Sequence, residues 1–362
     1  MTCERLAKKR AIINQCIIAL SVLFLAVPLY GRDKTDIMVM KNGDRMTCAV
    51  KGLYSGVLYV DFDYIDGTAS VDWSKVEHLE SQQLFVVKTQ DGSVYVGTLN
   101  STNTSRGGPM RIEVIEDSQR KTIMEQVDIV RMIGTSDKFW QRFNGEVSLG
   151  VIYSKGNQST QFSLGSNTTY VRERWSARAN FDSNLAASTG VNVSTRNSLD
   201  LSALHLLPAK NWFYAGLATF LQSSEQGIAL QKTLGGGLGH HFKNTNTATV
   251  SVLGGLAWQN TDYKPSLVAP TGQNVAAALI YAEANLFKFS KTNLDVTASL
   301  LPALSDPGHV RFDTNASYYI KIISNLKWNV SFYGNWDNRP PAGFSGSDYG
   351  TSSGISWTFG LK

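Results

Sequence analysis

From Leu326 to Asp337 apolar and polar residues alternate with a period of two. Leu326, Trp328, Val330, Phe332, Gly334 and Trp336 share one parity, and Lys327, Asn329, Ser331, Tyr333, Asn335 and Asp337 share the other. A strand sends successive side chains to opposite faces, so this stretch predicts a strand with one apolar and one polar face. The pattern returns about a dozen times across residues 143–362. Strands of this kind, apolar outside and polar inside, predict an all-β fold: an antiparallel transmembrane β-barrel of about 12 strands.

The connections support this independently. With the first strand rising, residues 171–174, 207–211, 243–246, 290–293 and 323–325 fall on one side, and all are short. Residues 155–159, 185–196, 223–229, 260–274, 305–309 and 338–347 fall on the other, and several are long and rich in Gly, Pro, Ser and Asn. Short periplasmic turns opposite longer external loops are the habit of outer-membrane barrels. Trp175, Trp212 and Trp328 open rising strands, while Trp258 and Trp336 close strands at the other boundary, where aromatic girdles belong. The last strand turns Ile355, Trp357, Phe359 and Leu361 outward. Such an ending resembles the signal read by the outer-membrane assembly machinery.

Two weaker repeats precede the barrel. Residues 37–80 carry the turn Lys41-Asn42-Gly43-Asp44, and residues 85–133 carry Gln90-Asp91-Gly92-Ser93, each between alternating apolar residues. Asn-Gly and Asp-Gly between such runs are hairpin signals. These segments predict two small SH3-like or Sm-like β-modules at 32–84 and 85–134, joined to the barrel by a linker at 135–142. With neither a basic patch nor a run of exposed aromatics, they read as periplasmic spacers, and no nucleic-acid partner is expected.

Composition agrees with this layout. Charged residues are 17% of the chain and hydrophobic residues 43%. The mean hydropathy of −0.14 suits a barrel, which intersperses its apolar residues among polar ones, and argues against a helical membrane bundle. The net charge of +5 is concentrated at the start. Arg5, Lys8, Lys9 and Arg10 against Glu4 give +3, which leaves +2 for the rest. A basic n-region, an apolar run at 11–28 and small Gly31 predict a signal peptide at 1–31, in preference to a membrane anchor. Removal of that segment takes Cys3 and Cys16 and leaves Cys48 alone, so neither an internal disulfide nor a cysteine metal site is expected. Cys48 reads as a buried strand residue.

The polar parity brings ionisable residues of both signs into the lumen: Glu146, Arg178, Asp182, Asp200, Glu283, Asp295, Arg311, Asp313, Lys321 and Lys327. They form either a charged constriction that selects solutes or a network of ion pairs filling a narrow barrel, and the mixed signs favour the network. His205 and His240 share the outward parity, as a lipid-active enzyme would require, but no outward serine and carboxylate complete a catalytic set. No catalytic residue, metal site or cofactor is therefore expected. The run Gly235, Gly236, Gly237 and Gly239 precedes no helix, so it marks close approach within a strand rather than a phosphate loop. Asp262, Asp337 and Asp348 read as solvated loop residues.

Leu234-Gly235-Gly236-Gly237-Leu238-Gly239-His240, Asp295-Val296-Thr297-Ala298-Ser299-Leu300 and Asp337-Asn338-Arg339-Pro340-Pro341 resemble the YdiY-like family of salt-induced outer-membrane proteins, domain-of-unknown-function family 481. The resemblance covers 143–362 and implies location and fold without an established chemistry. The functional expectation is a non-enzymatic outer-membrane protein with its N-terminal modules in the periplasm. It would be a narrow pore or envelope-structural protein linked to salt or osmotic stress, with outer-membrane lipid around it and a small solute or ion as cargo. The alternatives are an outer-membrane lipid-active enzyme and a surface receptor that binds a ligand through its long external loops.

Overall fold

The computed structural model describes residues 34–65, 67–102, 110–116, 120–134, 142–154, 159–187, 193–208, 210–264, 272–288, 291–323, 326–340 and 342–359. The expected signal peptide, nearly all of the expected linker, and Leu361 lie outside these described residues.

Twelve antiparallel strands close into a barrel. They are β10 (Phe143–Ser154), β11 (Ser159–Val171), β12 (Trp175–Ala187), β13 (Ser194–Leu206), β14 (Trp212–Ser223), β15 (Ile228–Asn244), β16 (Ala248–Tyr263), β17 (Gly272–Lys288), β18 (Thr292–Pro302), β19 (Val310–Ile323), β20 (Leu326–Asp337) and β21 (Ser347–Phe359). Closure comes from β10 pairing with β21, with Glu146 opposite Thr358 and Ser148 opposite Ser356. A closed barrel leaves no unpaired edge, and that is what lets a sheet stand in lipid.

The exterior is apolar. Leu149, Val151, Phe162, Leu234, Leu256, Ile280 and Phe332 are exposed on it, and Trp175, Trp212, Trp258, Trp328, Trp336 and Trp357 are each 40–47% exposed. Several strands run past their expected ends: the loops expected at 185–196 and 260–274 shrink to 188–193 and 264–271. Beyond the apolar belt both parities are polar, as in Ser194-Thr195-Arg196-Asn197, so the alternation that announces a strand disappears there.

Phe332 pairs with Ala316 on the outside, whereas Ser331 and Asn315 line a cavity inside. Arginine at Phe332 or Ala316 is therefore expected to cost about 2–4 kcal/mol near the bilayer midplane, and far less at Ser331 or Asn315. Denaturant titration after folding into lipid vesicles measures this, and equal costs at both parities would overturn the register.

Ahead of the barrel, nine strands make one sheet: β1 (Asp36–Met40), β2 (Arg45–Tyr54), β3 (Val57–Asp61), β4 (Thr68–Asp72), β5 (Val76–Thr89), β6 (Val94–Thr102), β7 (Arg111–Ile115), β8 (Lys121–Glu125) and β9 (Ile129–Gly134). Here the expectation of two separate modules needs correction. The boundary at 84/85 falls inside β5, which pairs with β1, β6 and β9. β9 also returns to β2. One core holds residues from both segments, among them Met38, Leu53, Leu58, Trp73, Phe85, Leu99, Ile112 and Met132. Segments of about 50 residues bury too small a fraction of their surface to be comfortably stable alone, and sharing a sheet relieves this.

The repeat itself is genuine. Each half ends in a 3-10 turn, Trp73–Lys75 and Gln126–Asp128, and the two turns lock together. Trp73 Nε1 donates to the Gln126 carbonyl at 3.0 Å, and Gln126 Nε2 donates to the Val76 carbonyl at 3.0 Å. Cys48 is fully buried in β2.

Candidate functional site

The register turns all ten lumen candidates inward and sorts them by height. At the long-loop end Arg311 is only 6% exposed. Its guanidinium donates to Asp337 at 2.8 Å, Gln273 at 3.1 Å, Thr261 and Tyr263 at 3.3 Å, and also to Gln259. His309 Nε2 lies 2.7 Å from Asp337. Beside this group Arg196 donates to Asn335 at 2.8 and 3.1 Å, stacks 4.2 Å over the Tyr333 ring, and stands 4.0 Å from Asp348. Asp348 accepts from Ser223 at 2.6 Å, and Asp313 accepts from Asn335. Together these residues form an outer belt that ties β13, β16, β17, β19, β20 and β21.

At the other end Arg178 pairs with Glu283 at 2.8 Å, and Glu283 also accepts from Asn285 at 3.0 Å. Lys327 pairs with Glu146 at 3.4 Å and stands 5.4 Å over the Tyr319 ring. Asp295 accepts from Asn293 at 3.1 and 3.2 Å. Lys321 reaches out of the barrel to Ser70 of the sheet at 2.9 Å. Buried charges are tolerated when partnered in this way. Asp182 and Asp200 lie between the belts, where Asp182 faces Gly165 and Ser198, and Asp200 faces Asn180 and Thr219. Among the described residues neither has an ion-pair partner.

Between the belts lies a small cavity, lined by Ser148, Ser163, Asp182, Asn184, Arg196, Asn315, Ser317, Asn329, Ser331, Tyr333 and Ser352. It occupies only the side of the lumen formed by β10–β13 and β19–β21. The opposite side is filled. Phe213, Leu253, Ala257, Val275, Ala277, Leu279 and Leu301 pack inward with Leu204, Leu217 and Tyr281. Glycines in β15 let this cluster lie flat against the wall: a Cβ at Gly235 would stand 3.1 Å from that of Ala257 and 3.3 Å from Leu279. The polar interior expected from parity is therefore only half the interior.

Sequence reasoning missed four members of the site. Arg196, Asp337, Asp348 and His309 were assigned to external loops, yet Arg196, Asp348 and His309 are buried and Asp337 bridges Arg311 and His309. Asp262 is the one loop aspartate that stays outside, 3.6 Å from Lys232. His205 and His240 face outward among aromatic rings, 4.9 Å from Tyr214 and 4.9 Å from Trp212. Among the described residues no group of three or more His, Cys, Asp or Glu is arranged to hold a metal ion.

The short-turn mouth is covered by the sheet. Asn211 donates to the Gln90 carbonyl at 2.9 Å, Asn244 to the Thr89 and Gln90 carbonyls at 3.3 and 3.4 Å, and Asn246 to the Ile129 carbonyl at 2.8 Å. Asn211 holds a left-handed conformation with φ 60°. Asn tolerates that better than most residues, and here it aims the carboxamide at the sheet. Lys210 adds an exposed ion pair to Asp91 at 3.5 Å. The hydrogen bond from Thr89, foremost, holds the Asp91 carboxyl below its ordinary range. The sheet face away from its own core turns to the barrel. It carries Lys88 opposite Arg131, with Arg131 4.9 Å over the Tyr54 ring and Tyr54 6.4 Å from Phe287 of β17. Burial, helped by neighbouring Arg131, pulls the Lys88 ammonium down to about 7.

A family model described as "Protein of unknown function, DUF481" matches residues 147–359. Comparison with curated proteins finds no match. Among solved structures, the NanC porin is similar at 9% identity and a TM-score of 0.37, over 59% of this chain and 99% of its own. The translocator domain of the autotransporter NalP from Neisseria meningitidis shares 15% identity at a TM-score of 0.32, over 60% and 87%. A porin refined at 1.8 Å shares 10% at a TM-score of 0.28, over 76% and 98%.

Proposed function

The chain belongs to the DUF481 family, whose description assigns no activity, and from its own geometry we propose an outer-membrane barrel that encloses a narrow passage braced by ion pairs, with the N-terminal sheet covering its periplasmic mouth. The apolar exterior with tryptophans near both rims supports the membrane setting. The covered mouth is the short-turn rim, which in outer-membrane barrels faces the periplasm. The outward aromatic residues of β21 suit recognition by the assembly machinery.

One observation carries the reading, namely how little of the lumen is left. Twelve strands enclose more space than the roughly eight that side chains fill. An apolar cluster nevertheless occupies one half and two charged belts cross the other, which leaves only a small chamber between them. Such a passage suits a small solute or ion, in the salt or osmotic setting that the family resemblance implies. An exposed contact such as Lys210–Asp91 weakens as ionic strength rises, so the cover would loosen with salt. We read the chain as non-enzymatic, because its outward histidines are packed among rings instead of beside a nucleophile.

Reconstitution into planar bilayers tests this. The unaltered chain is expected to give small or undetectable conductance. Replacing Asn211, Asn244 and Asn246 together by alanine removes hydrogen bonds worth about 0.5–1.5 kcal/mol each and is expected to raise it several-fold. A large, steady, porin-like conductance from the unaltered protein would overturn the proposal.

A further inference from the structure

We infer that the N-terminal sheet joins a second copy of this chain edge to edge, β8 pairing antiparallel with the same strand of the second copy. The inference goes beyond the narrow passage proposed above and does not depend on it. Of the two end strands of the sheet, β4 is tied to the barrel by the Lys321–Ser70 hydrogen bond at 2.9 Å. Among the described residues β8 pairs with β7 alone. A strand edge left open in this way is a ready template for another chain. Solvent reaches it, since residues 122–125 line an open groove.

The ladder shows which backbone groups of β8 face that open side. Gln126 donates to the Met110 carbonyl at 2.9 Å, and Glu116 to the Arg120 carbonyl at 3.0 Å. Both bonds are in step with the register that pairs Arg111 with Glu125 and Ile115 with Lys121. Bonded and non-bonded pairs alternate along an antiparallel ladder. The bonded pairs within it are therefore Ile112–Met124 and Val114–Thr122. The N–H and C=O of Lys121, Ile123 and Glu125 point away from β7. The side chains of these same three residues are exposed, Ile123 at 57%.

The order of those residues selects the occupant. Two copies set antiparallel about Ile123 place each Lys121 across from Glu125 of the other copy, and the two Ile123 side chains together. Opposite charges directly across a ladder stabilise it, and like charges destabilise it. A parallel arrangement would set lysine against lysine and glutamate against glutamate, so charge fixes the direction. The edge is thus self-complementary, as a two-fold interface requires. Within the protomer Lys121 stands 3.3 Å from Glu113, and Glu125 stands 3.9 Å from Arg111. The side chains of Lys121 and Glu125 are nevertheless about half exposed, so each charge stays open to the other copy. The edge is short, and confinement to one membrane supplies the effective concentration it needs.

The test is energy transfer between copies of the full chain folded into lipid vesicles at low protein density. Half carry a donor dye and half an acceptor dye on Tyr64→Cys, with Cys3 and Cys16 replaced by serine; Cys48 is fully buried. Transfer above that of randomly dispersed chains is expected, and an excess of undyed chain should abolish it. Ile123→Pro removes an N–H that β7 does not use, so it should leave the protomer folded and weaken association about tenfold or more. Lys121→Glu or Glu125→Lys alone alters both charge contacts across the two-fold axis and should have a similar effect. A mixture of these two single variants restores opposite charges at both ends and should recover transfer. Heat-modifiable mobility and limited proteolysis of the sheet verify that each variant is folded. No transfer from the unaltered chain, transfer that survives Ile123→Pro, or charge variants that do not recover on mixing would overturn the inference.

Discussion

Arg311→Ala is expected to lower the stability of the folded barrel by about 3–5 kcal/mol, the cost of leaving one member of a buried ion pair without its partner. The residue is 6% exposed, and its guanidinium fork joins β19 to β16, β17 and β20 through Gln259, Thr261, Tyr263, Gln273 and Asp337. Truncation strands Asp337 beside His309 and removes donors from a row of buried acceptors. Arg311→Lys keeps the charge but loses the fork, since an ammonium cannot reach several strands at once. It should recover only part of the loss. The double variant Arg311→Met with Asp337→Leu removes both charges and should be more stable than Arg311→Ala. Urea titration of the barrel in vesicles, read by heat-modifiable mobility, gives these values. A loss below about 1 kcal/mol, the level of an exposed pair, would mean that the outer belt does not brace the barrel. Because the belt also roofs the chamber, the same variant is expected to raise conductance.

The barrel was legible because its physics is local. A side chain in lipid must be apolar and its neighbours along the strand point elsewhere, so β20 could be read directly from Leu326 to Asp337. Each of the ten inward charges has that same parity. Reading failed where the alternation stops for a physical reason. Above the apolar belt both faces of a strand are polar, so Arg196 and Asp348 looked like loop residues although their strands continue. In β14–β17 both faces are apolar, and Trp212, Phe213 and Tyr214 follow one another without a break. That doubled apolarity, with the glycines of β15, was the available sign that one side of the lumen is filled.

The N-terminal region shows a different limit. Its turns and its internal repeat are local and could be read, but the fusion of the halves through β5 depends on pairings between β2, β5 and β9 that are far apart in sequence. A boundary drawn at 84/85 follows the repeat, whereas the core follows the long-range pairing. The docking of this sheet on the barrel rim was hidden for a related reason. Asn211, Asn244 and Asn246 are ordinary turn residues until the carbonyls of Gln90, Thr89 and Ile129 are placed opposite them.

Raising the pH from 7.5 to 9 is expected to tighten that docking by about 2 kcal/mol. Lys88 lies on the sheet face turned to the barrel, and burial there brings its ammonium from 10.5 to about 7. Released from the barrel, it returns toward its ordinary value. Between those limits the docked form lacks a proton that the free form holds, so docking strengthens as pH rises, by about 1.4 kcal/mol per unit. Below about pH 7 both forms are protonated, the full penalty applies and the dependence flattens. Arg131 on β9 and His241 on β15 interact electrostatically with Lys88, and Tyr54 on β2, Arg178 on β12 and Glu283 on β17 are the charged or titratable groups next to those two. Arginine and glutamate keep their charges across pH 7.5–9, and ordinary histidine and tyrosine titrate near 6.5 and 10, outside it. Lys88→Met is therefore expected to dock tightly at every pH in this range and to abolish the slope. Energy transfer between dyes at exposed positions 64 and 243, followed through a urea titration, reads the docking. A slope that survives in Lys88→Met would assign the pH dependence to another group, and no slope in the unaltered chain would mean that Lys88 is not buried by the barrel.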